Sequence, residues 1–527
     1  MTTNYPELSD LVNLMEGRPS TNGWDVVCSY SVHQLNAFLK SQYEAGKLAR
    51  EVVLTTERED PITEMKYTVR YDIQFASPVL SFIAGRSGFA TLTMPINEGS
   101  FARIIMADVE KRTIPIPGGR YSVQAIVPLA AIKGDTGEVI EHDNVVTFSD
   151  GNPHDNHIIV HFNSEKGTLY QIVPAPDPQD HDILVTYFLP VLKDYFQTHI
   201  QAIDYALSSI NNKRPESGGT ILTPKSFVFA SAGDGDDGVL SLYIQTNESG
   251  NPPGNPSPSF QPGDTAVYPI PQGYTASIIL SNRLITQSFL RPQLEACGFS
   301  VELSNPVSGG GVSAVLRKDE NIIAVGKSGQ SFFENHSYQG LQISMQSNPV
   351  HMTLQKGGIS LEFGGYTLSE WSKSITFTRN STYGGVYVTI KLHKFPVPLS
   401  LSADDVIGSH ISVDPSEFTV ELKAQGCSFF ERMGGCSSSY PAFYDRNLRE
   451  RIQFPTIALH LPGLDFFNAT NLLAPGHNVI GLDTSKGVQT PHDFLVVGNF
   501  TSLGQLRKLR AGSPKDHRLA EHPDGIR

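Results

Sequence analysis

Between residues 65 and 75 the chain reads MKYTVRYDIQF, and every second residue is apolar. Met65, Tyr67, Val69, Tyr71, Ile73 and Phe75 alternate with Lys66, Thr68, Arg70, Asp72 and Gln74. Unbroken alternation of this kind predicts a strand with one face in a core and one in water. It runs about twice the common strand length of about 5–6 residues. A strand this long suits a strongly curved antiparallel sheet that wraps around something. Further alternating stretches lie near 89–96, 121–127 and 158–162, two more strands are expected near 227–229 and 239–245, and another alternating series lies near 341–345, 359–363, 375–377, 386–392 and 418–422. With 46 glycines, 35 prolines and only 18% charged residues in 527, turn-punctuated strands explain the chain better than a helical bundle does.

Three stretches have helical spacing instead. From Trp24 the residues Val27, Cys28, Ser31, Leu35, Phe38 and Leu39 fall at three- and four-residue steps. A wide apolar stripe over 181–211 includes Leu192, Phe196, Ile200 and Ile203. A third helix is expected over 275–295, with Leu284, Ile285 and Phe289 on its apolar face. A helix followed by many strands therefore occurs twice, without a visible residue-level repeat. The expected organisation is a flexible lead at 1–20, one domain at 21–246, a proline-rich linker or loop at 247–264, a related domain at 265–500 and a basic flexible tail at 501–527.

The net charge of −13 and the lack of a basic stripe argue against nucleic acid. They also argue against broad adsorption to anionic membranes, while leaving room for peripheral membrane contact through a local patch. No apolar window is long enough for a membrane span. The first twenty residues lack the basic and apolar regions of a signal peptide, so a cytoplasmic chain, or one released without a classical signal, is expected. Cys28, Cys297, Cys427 and Cys436 form no metal-type pair. Cys427 and Cys436 could close a small disulfide loop or stay reduced.

No catalytic motif stands up. Gly326-Lys327-Ser328-Gly329-Gln330 lacks the final glycine of a nucleophile elbow. Asp234-Gly235-Asp236-Asp237-Gly238 lacks the spacing of a calcium loop and reads as a turn between strands. His154-Asp155-Asn156-His157 reads as a polar loop. No enzyme activity, metal or cofactor is expected.

Gly23-Trp24-Asp25-Val26-Val27 entering a helix, followed by a long series of alternating strands, resembles the OrfX family. It resembles still more that family's forty-seven-kilodalton sister, both encoded beside clostridial neurotoxin genes. These families are similar to the tubular lipid-binding (TULIP) superfamily. The resemblance implies an α+β, β-rich fold of two TULIP-like domains, each a long helix wrapped by a highly curved antiparallel sheet. It also implies an apolar groove for a lipid or hydrophobic small molecule, and a partner such as a toxin or another cluster-encoded protein. The wall residues expected for that groove are Leu35, Phe38, Leu39, Leu192, Phe196, Ile200, Ile203, Leu284, Ile285 and Phe289. The alternatives are a structural companion that acts by protein–protein contact and an enzyme that uses the groove for a hydrophobic substrate.

Overall fold

The computed structural model describes residues 4–44, 50–128, 221–246, 267–304, 312–402, 406–425, 448–461 and 478–502, apart from short breaks, together with short strands between 133 and 209 and at 471–472. The fold is β-rich and its sheets are antiparallel.

The first half contains helix α1 (Leu8–Met15), strand β1 (Val26–Ser31) and helix α2 (Val32–Glu44). Strands β2 (Glu51–Glu59), β3 (Lys66–Gln74), β4 (Val79–Phe82), β5 (Phe89–Pro95), β6 (Ser100–Met106), β7 (Val109–Ile116), β8 (Tyr121–Pro128) and β9 (Leu169–Pro174) follow. They form two four-stranded sheets, in the orders β2-β3-β6-β7 and β9-β8-β5-β4. The half closes with the hairpin of β10 (Pro224–Asp234) and β11 (Asp237–Thr246), and the acidic Asp234–Asp237 stretch lies at its turn. Alternation in β3 translates into burial: Val69, Tyr71 and Ile73 are buried, while Lys66 and Gln74 are exposed.

The second half begins with β12 (Ala276–Leu280) and a helical run, α3 (282–296). Strands β13 (Ser300–Ser304), β14 (Val312–Arg317), β15 (Val350–Gln355), β16 (Gly358–Ile375), β17 (Ser381–Val397) and β18 (Phe418–Gln425) pair in sequence order into one sheet, and β19 (Asn478–Leu482) and β20 (Phe494–Ser502) form a last hairpin. The β16–β17 pair spans 18 and 17 residues.

One seven-stranded sheet joins the halves. After a short edge strand at Val146–Thr147 its order is β10-β11-β1-β12-β20-β19. At the centre β1 pairs with β12, and Cys28 lies opposite Ile278. Residues 26–31 and 276–280 were expected to be helical. They are strands buried on both faces, and such strands are apolar throughout and lose the period of two that marks a strand.

The seam also reveals a repeat. Gly273 lies 250 positions after Gly23, and at that offset Trp24 matches Tyr274, Ser31 matches Ser281 and Leu35 matches Ile285. Both glycines have positive φ, 88° and 82°, in the left-handed region that favours glycine. Cys28 faces its own counterpart, so a pseudo-two-fold axis passes between β1 and β12. Outside the paired positions the exchange is reciprocal: Ser31 N–H donates to Thr275 O at 2.9 Å and Ser281 N–H to Asp25 O at 2.8 Å.

The inner face of the central sheet joins one apolar cluster reaching into both halves, through Leu92 and Val123 on one side and Leu361 and Ile390 on the other. The outer face is covered by α1. Leu11, Val12 and Met15 are buried there against Trp24, Val27, Tyr243, Ile279 and Leu495. Residues 1–20, expected as a flexible lead, thus contain a helix whose apolar stripe shields the second face of a sheet that would otherwise expose it.

A hydrophobic interior as the candidate site

Helix α2 starts where β1 ends. Ser31 Oγ accepts the Gln34 N–H at 3.3 Å, a hydroxyl cap for a free helix donor. Val32, Leu35 and Leu39 then recur on one face and are buried in the inner cluster. Phe38 is half-buried against the same cluster, its ring edge-on to Phe500 with centroids 4.7 Å apart. The polar flank fixes the helix in place. Asn36 donates to Leu80 O at 2.9 Å and accepts Leu80 N–H at 2.7 Å, a two-point bond to β4. Gln34 Nε2 donates to Phe500 O at 3.1 Å and the Tyr43 hydroxyl to Phe75 O at 2.6 Å.

Helix α3 repeats the arrangement. Ser281 Oγ accepts the Leu284 N–H at 3.2 Å, and Leu284, Ile285 and Phe289 are at most 2% exposed in the same cluster as Leu35 and Leu39. Its geometry differs from that of α2. The turn at Ile285–Leu290 is π-helical, closing with the Arg291 N–H on Thr286 O, and Pro292 follows at once. Proline lacks a donor and clashes with the carbonyl four residues back. A widened turn removes that conflict without ending the helix.

The structure thus brings Leu35, Phe38, Leu39, Leu284, Ile285 and Phe289 into one apolar body built from both halves. Leu192, Phe196, Ile200 and Ile203 lie outside the described residues, as do Cys427, Cys436 and the His154–His157 stretch. Of the helix expected over 181–211 only Ser208–Ser209 are described, and they form a short strand paired with Asn471–Leu472.

Two buried carboxylates lie beside the start of α3. Asp25, 1% exposed, accepts the Thr246 N–H on Oδ2 at 2.8 Å, and its Oδ1 lies 3.6 Å from Arg283 of the other half. Asp493, equally buried, accepts the Ser20 N–H and hydroxyl on Oδ2 and the Asn282 N–H on Oδ1. Buried charges persist only when bonded in this way. Both acids hold the seam together, a role that single-residue motifs did not reveal; the clue was the Gly-aromatic start shared by residues 23 and 273. Burial pushes the Cys28 thiol well above its ordinary range, the opposite of an activated nucleophile. Among the described residues no three His, Cys, Asp or Glu side chains are grouped to hold a metal ion, and no helix is long and apolar enough to cross a membrane.

No family of known proteins and no curated protein matches the sequence. Among solved structures the chain is similar to P47 from Clostridium botulinum A2, at 14% identity and a TM-score of 0.49 over 91% of this chain and 98% of that one. It is also similar to P47 of Clostridium botulinum E1, at 14% identity and a TM-score of 0.44 over 92% and 100%. A lipopolysaccharide binding protein aligns at 8% identity and a TM-score of 0.24 over 91% and 99%. The scores are low, and the architecture stands on this chain's own strand registers.

Proposed function

We propose that the chain binds a lipid or another hydrophobic ligand in its apolar interior, without catalysis, as an accessory protein of a bacterial toxin or related gene cluster. The observation that carries the binding reading is the continuity of that interior: helix faces and sheets of both halves contribute to one apolar cluster. The accessory role comes from the resemblance to the OrfX and forty-seven-kilodalton families. In this reading each half is a TULIP-like domain, a long helix wrapped by its sheet. An acyl chain asks for little beyond a dry channel, since each buried methylene contributes about 0.8 kcal/mol. A few polar groups at the mouth then select the headgroup.

A second reading has one observation in its favour. Leu35, Leu39, Leu284, Ile285 and Phe289 are all at most 2% exposed, as in a filled core. The protein would then be a structural companion that acts by contact with another protein. Native mass spectrometry of the purified full chain, with solvent extraction and lipid analysis, separates the two. Co-purifying lipid at a defined stoichiometry supports the first. A ligand-free chain that forms a stable complex with a cluster-encoded protein replaces it with the second.

A further inference from the structure

In the β2-β3-β6-β7 sheet two hairpin turns emerge at one end. The register Glu59↔Lys66 puts the β2–β3 turn there, Met106↔Val109 puts the β6–β7 turn there, and Thr68↔Ile105 makes their inner strands neighbours. These two turns carry apolar residues outward. Ile62 is 89% exposed, the most of any large apolar side chain among the described residues, and Met65 and Val109 are each 54% exposed. Met65 belongs by alternation to the buried face of β3 but stands beyond the end of the core.

Both turns are held in shape. Asp60 Oδ1 accepts the Ile62 and Thr63 N–H groups at 2.9 Å, Asp60 N–H donates to Met65 O at 3.0 Å and Glu64 N–H to Asp60 O at 2.9 Å. Glu64, Ala107 and Asp108 adopt positive φ of 55°, 47° and 60°, a conformation unfavourable for side chains with a Cβ. The Asp60 bonds outweigh that cost in the first turn and fix it with Ile62 and Met65 in water. The stretches 57–66 and 107–112 together carry six acidic and four basic side chains.

We propose that these paired turns are a docking surface for a zwitterionic lipid bilayer, with Ile62, Met65 and Val109 inserted among the headgroups. Three side chains on two convex turns are far too small an area for a stable protein interface, which needs about 800 Å² per partner. They suffice for shallow insertion, where each apolar side chain leaves water on its own. The charge behind them, slightly acidic and of both signs, complements paired phosphate and amine headgroups and is repelled by a uniformly anionic surface. Docking does not depend on an interior ligand, so it goes beyond the proposed function and can outlive it.

The test is sedimentation of the full chain with phosphatidylcholine vesicles, with and without added phosphatidylglycerol. The wild-type chain is expected to sediment with phosphatidylcholine alone, with no gain from the anionic lipid. The double variant Ile62→Asp/Val109→Asp should bind at least about tenfold more weakly, the loss expected from removing two inserted apolar groups. Ile62→Trp should bind and shift its emission to the blue on adding neutral vesicles. Both substitutions lie on exposed turns and leave the core intact. A wild-type chain that ignores phosphatidylcholine, binding that appears only with phosphatidylglycerol, or a double variant that binds as the wild type does would each overturn the proposal. A chain that carries no lipid after purification yet docks on vesicles sinks the interior-ligand reading and leaves this one standing.

Discussion

The two strand–helix units that meet at the seam, β1–α2 and β12–α3, share one geometry and reach it with different chemistry. Where the first has Asp25 the second has Thr275. Asp25 Oδ2 accepts the Thr246 N–H, and Thr275 Oγ1 accepts the Phe500 N–H at the matching place on β20. Only the first acceptor is charged, and its counter-ion, Arg283, is borrowed from the other unit. Where the first has a regular 13-residue helix the second has a π turn and Pro292. Where the first has Trp24, 1% exposed with its indole N–H buried and unpaired among the described residues, the second has half-buried Tyr274 donating to Asp483 Oδ2 at 2.8 Å. What recurs is the backbone demand: a glycine in the left-handed region, an acceptor before the strand and a hydroxyl cap after it. Side chains that meet the same demand drift freely.

The largest test concerns the apolar residues that the units share. Leu35→Ala and Ile285→Ala should each lower stability by about 2–5 kcal/mol, read from the urea midpoint, because both remove buried methyl groups without replacement. Similar losses mean that the two halves contribute equally to one interior. A loss near zero at either site would show that the interior there is not close-packed.

That equivalence was only partly legible in the sequence. The amphipathic strands were readable: the stretches near 65–75, 89–96, 121–127 and 386–392 all lie in strands, since a half-wet strand must alternate. The faces of α2 and α3 were readable too, down to Leu35, Leu39, Leu284, Ile285 and Phe289. The seam strands were not, because burial on both sides erases the pattern; Val26, Val27, Cys28 and Tyr30 are all buried. The repeat escaped for the same reason, since a two-faced core accepts Cys28 or Ile278, Tyr30 or Leu280, so long as water is excluded. Helix α1 was hidden by its shortness, since eight residues hold only two turns.

A second test exchanges the helix geometries. Gln42→Pro places a proline in regular α2 at the position that matches Pro292. With no widened turn to receive it, the loss should be about 3 kcal/mol. Pro292→Ala should change stability by less than about 1 kcal/mol, because the π turn already meets proline's demands. A large loss on Pro292→Ala would mean that the π turn itself is required.

The seam acceptors come next. Asp25→Ala should cost about 2–3 kcal/mol, from a buried N–H left unpaired and a broken pair to Arg283 that is part-screened by water. Thr275→Ala should cost about 1 kcal/mol, since its partner pair is neutral and half-exposed. Equal losses in parallel thermal unfolding would show that the charge at Asp25 adds nothing.

The smallest effect separates Tyr274 from Trp24 by its pH dependence. Burial, then the bond to Asp483, pushes the Tyr274 hydroxyl up to about 12. Asp483 is partly desolvated, which alone would raise it, but hydrogen bonds from Ser485 and Tyr274 hold it below the ordinary carboxylate value. For a carboxylate depressed in the folded state, the contribution is present above the unfolded pKa of about 4 and is lost as pH falls through the lower folded value. For a tyrosine raised in the folded state, it is present below about 10 and fades as pH climbs towards 12. Tyr274→Phe should therefore cost about 1 kcal/mol at neutral pH, with the gap to the wild type closing below about pH 4 and again above about pH 10. Trp24→Phe removes an N–H that has no partner in the described structure, so its cost is lost ring packing and should stay flat over the same range. Urea titrations at stepped pH read both curves. A pH-independent gap for Tyr274→Phe would mean that the hydroxyl's bond to Asp483 contributes nothing and that the second unit, like the first, is held at this position by ring packing alone.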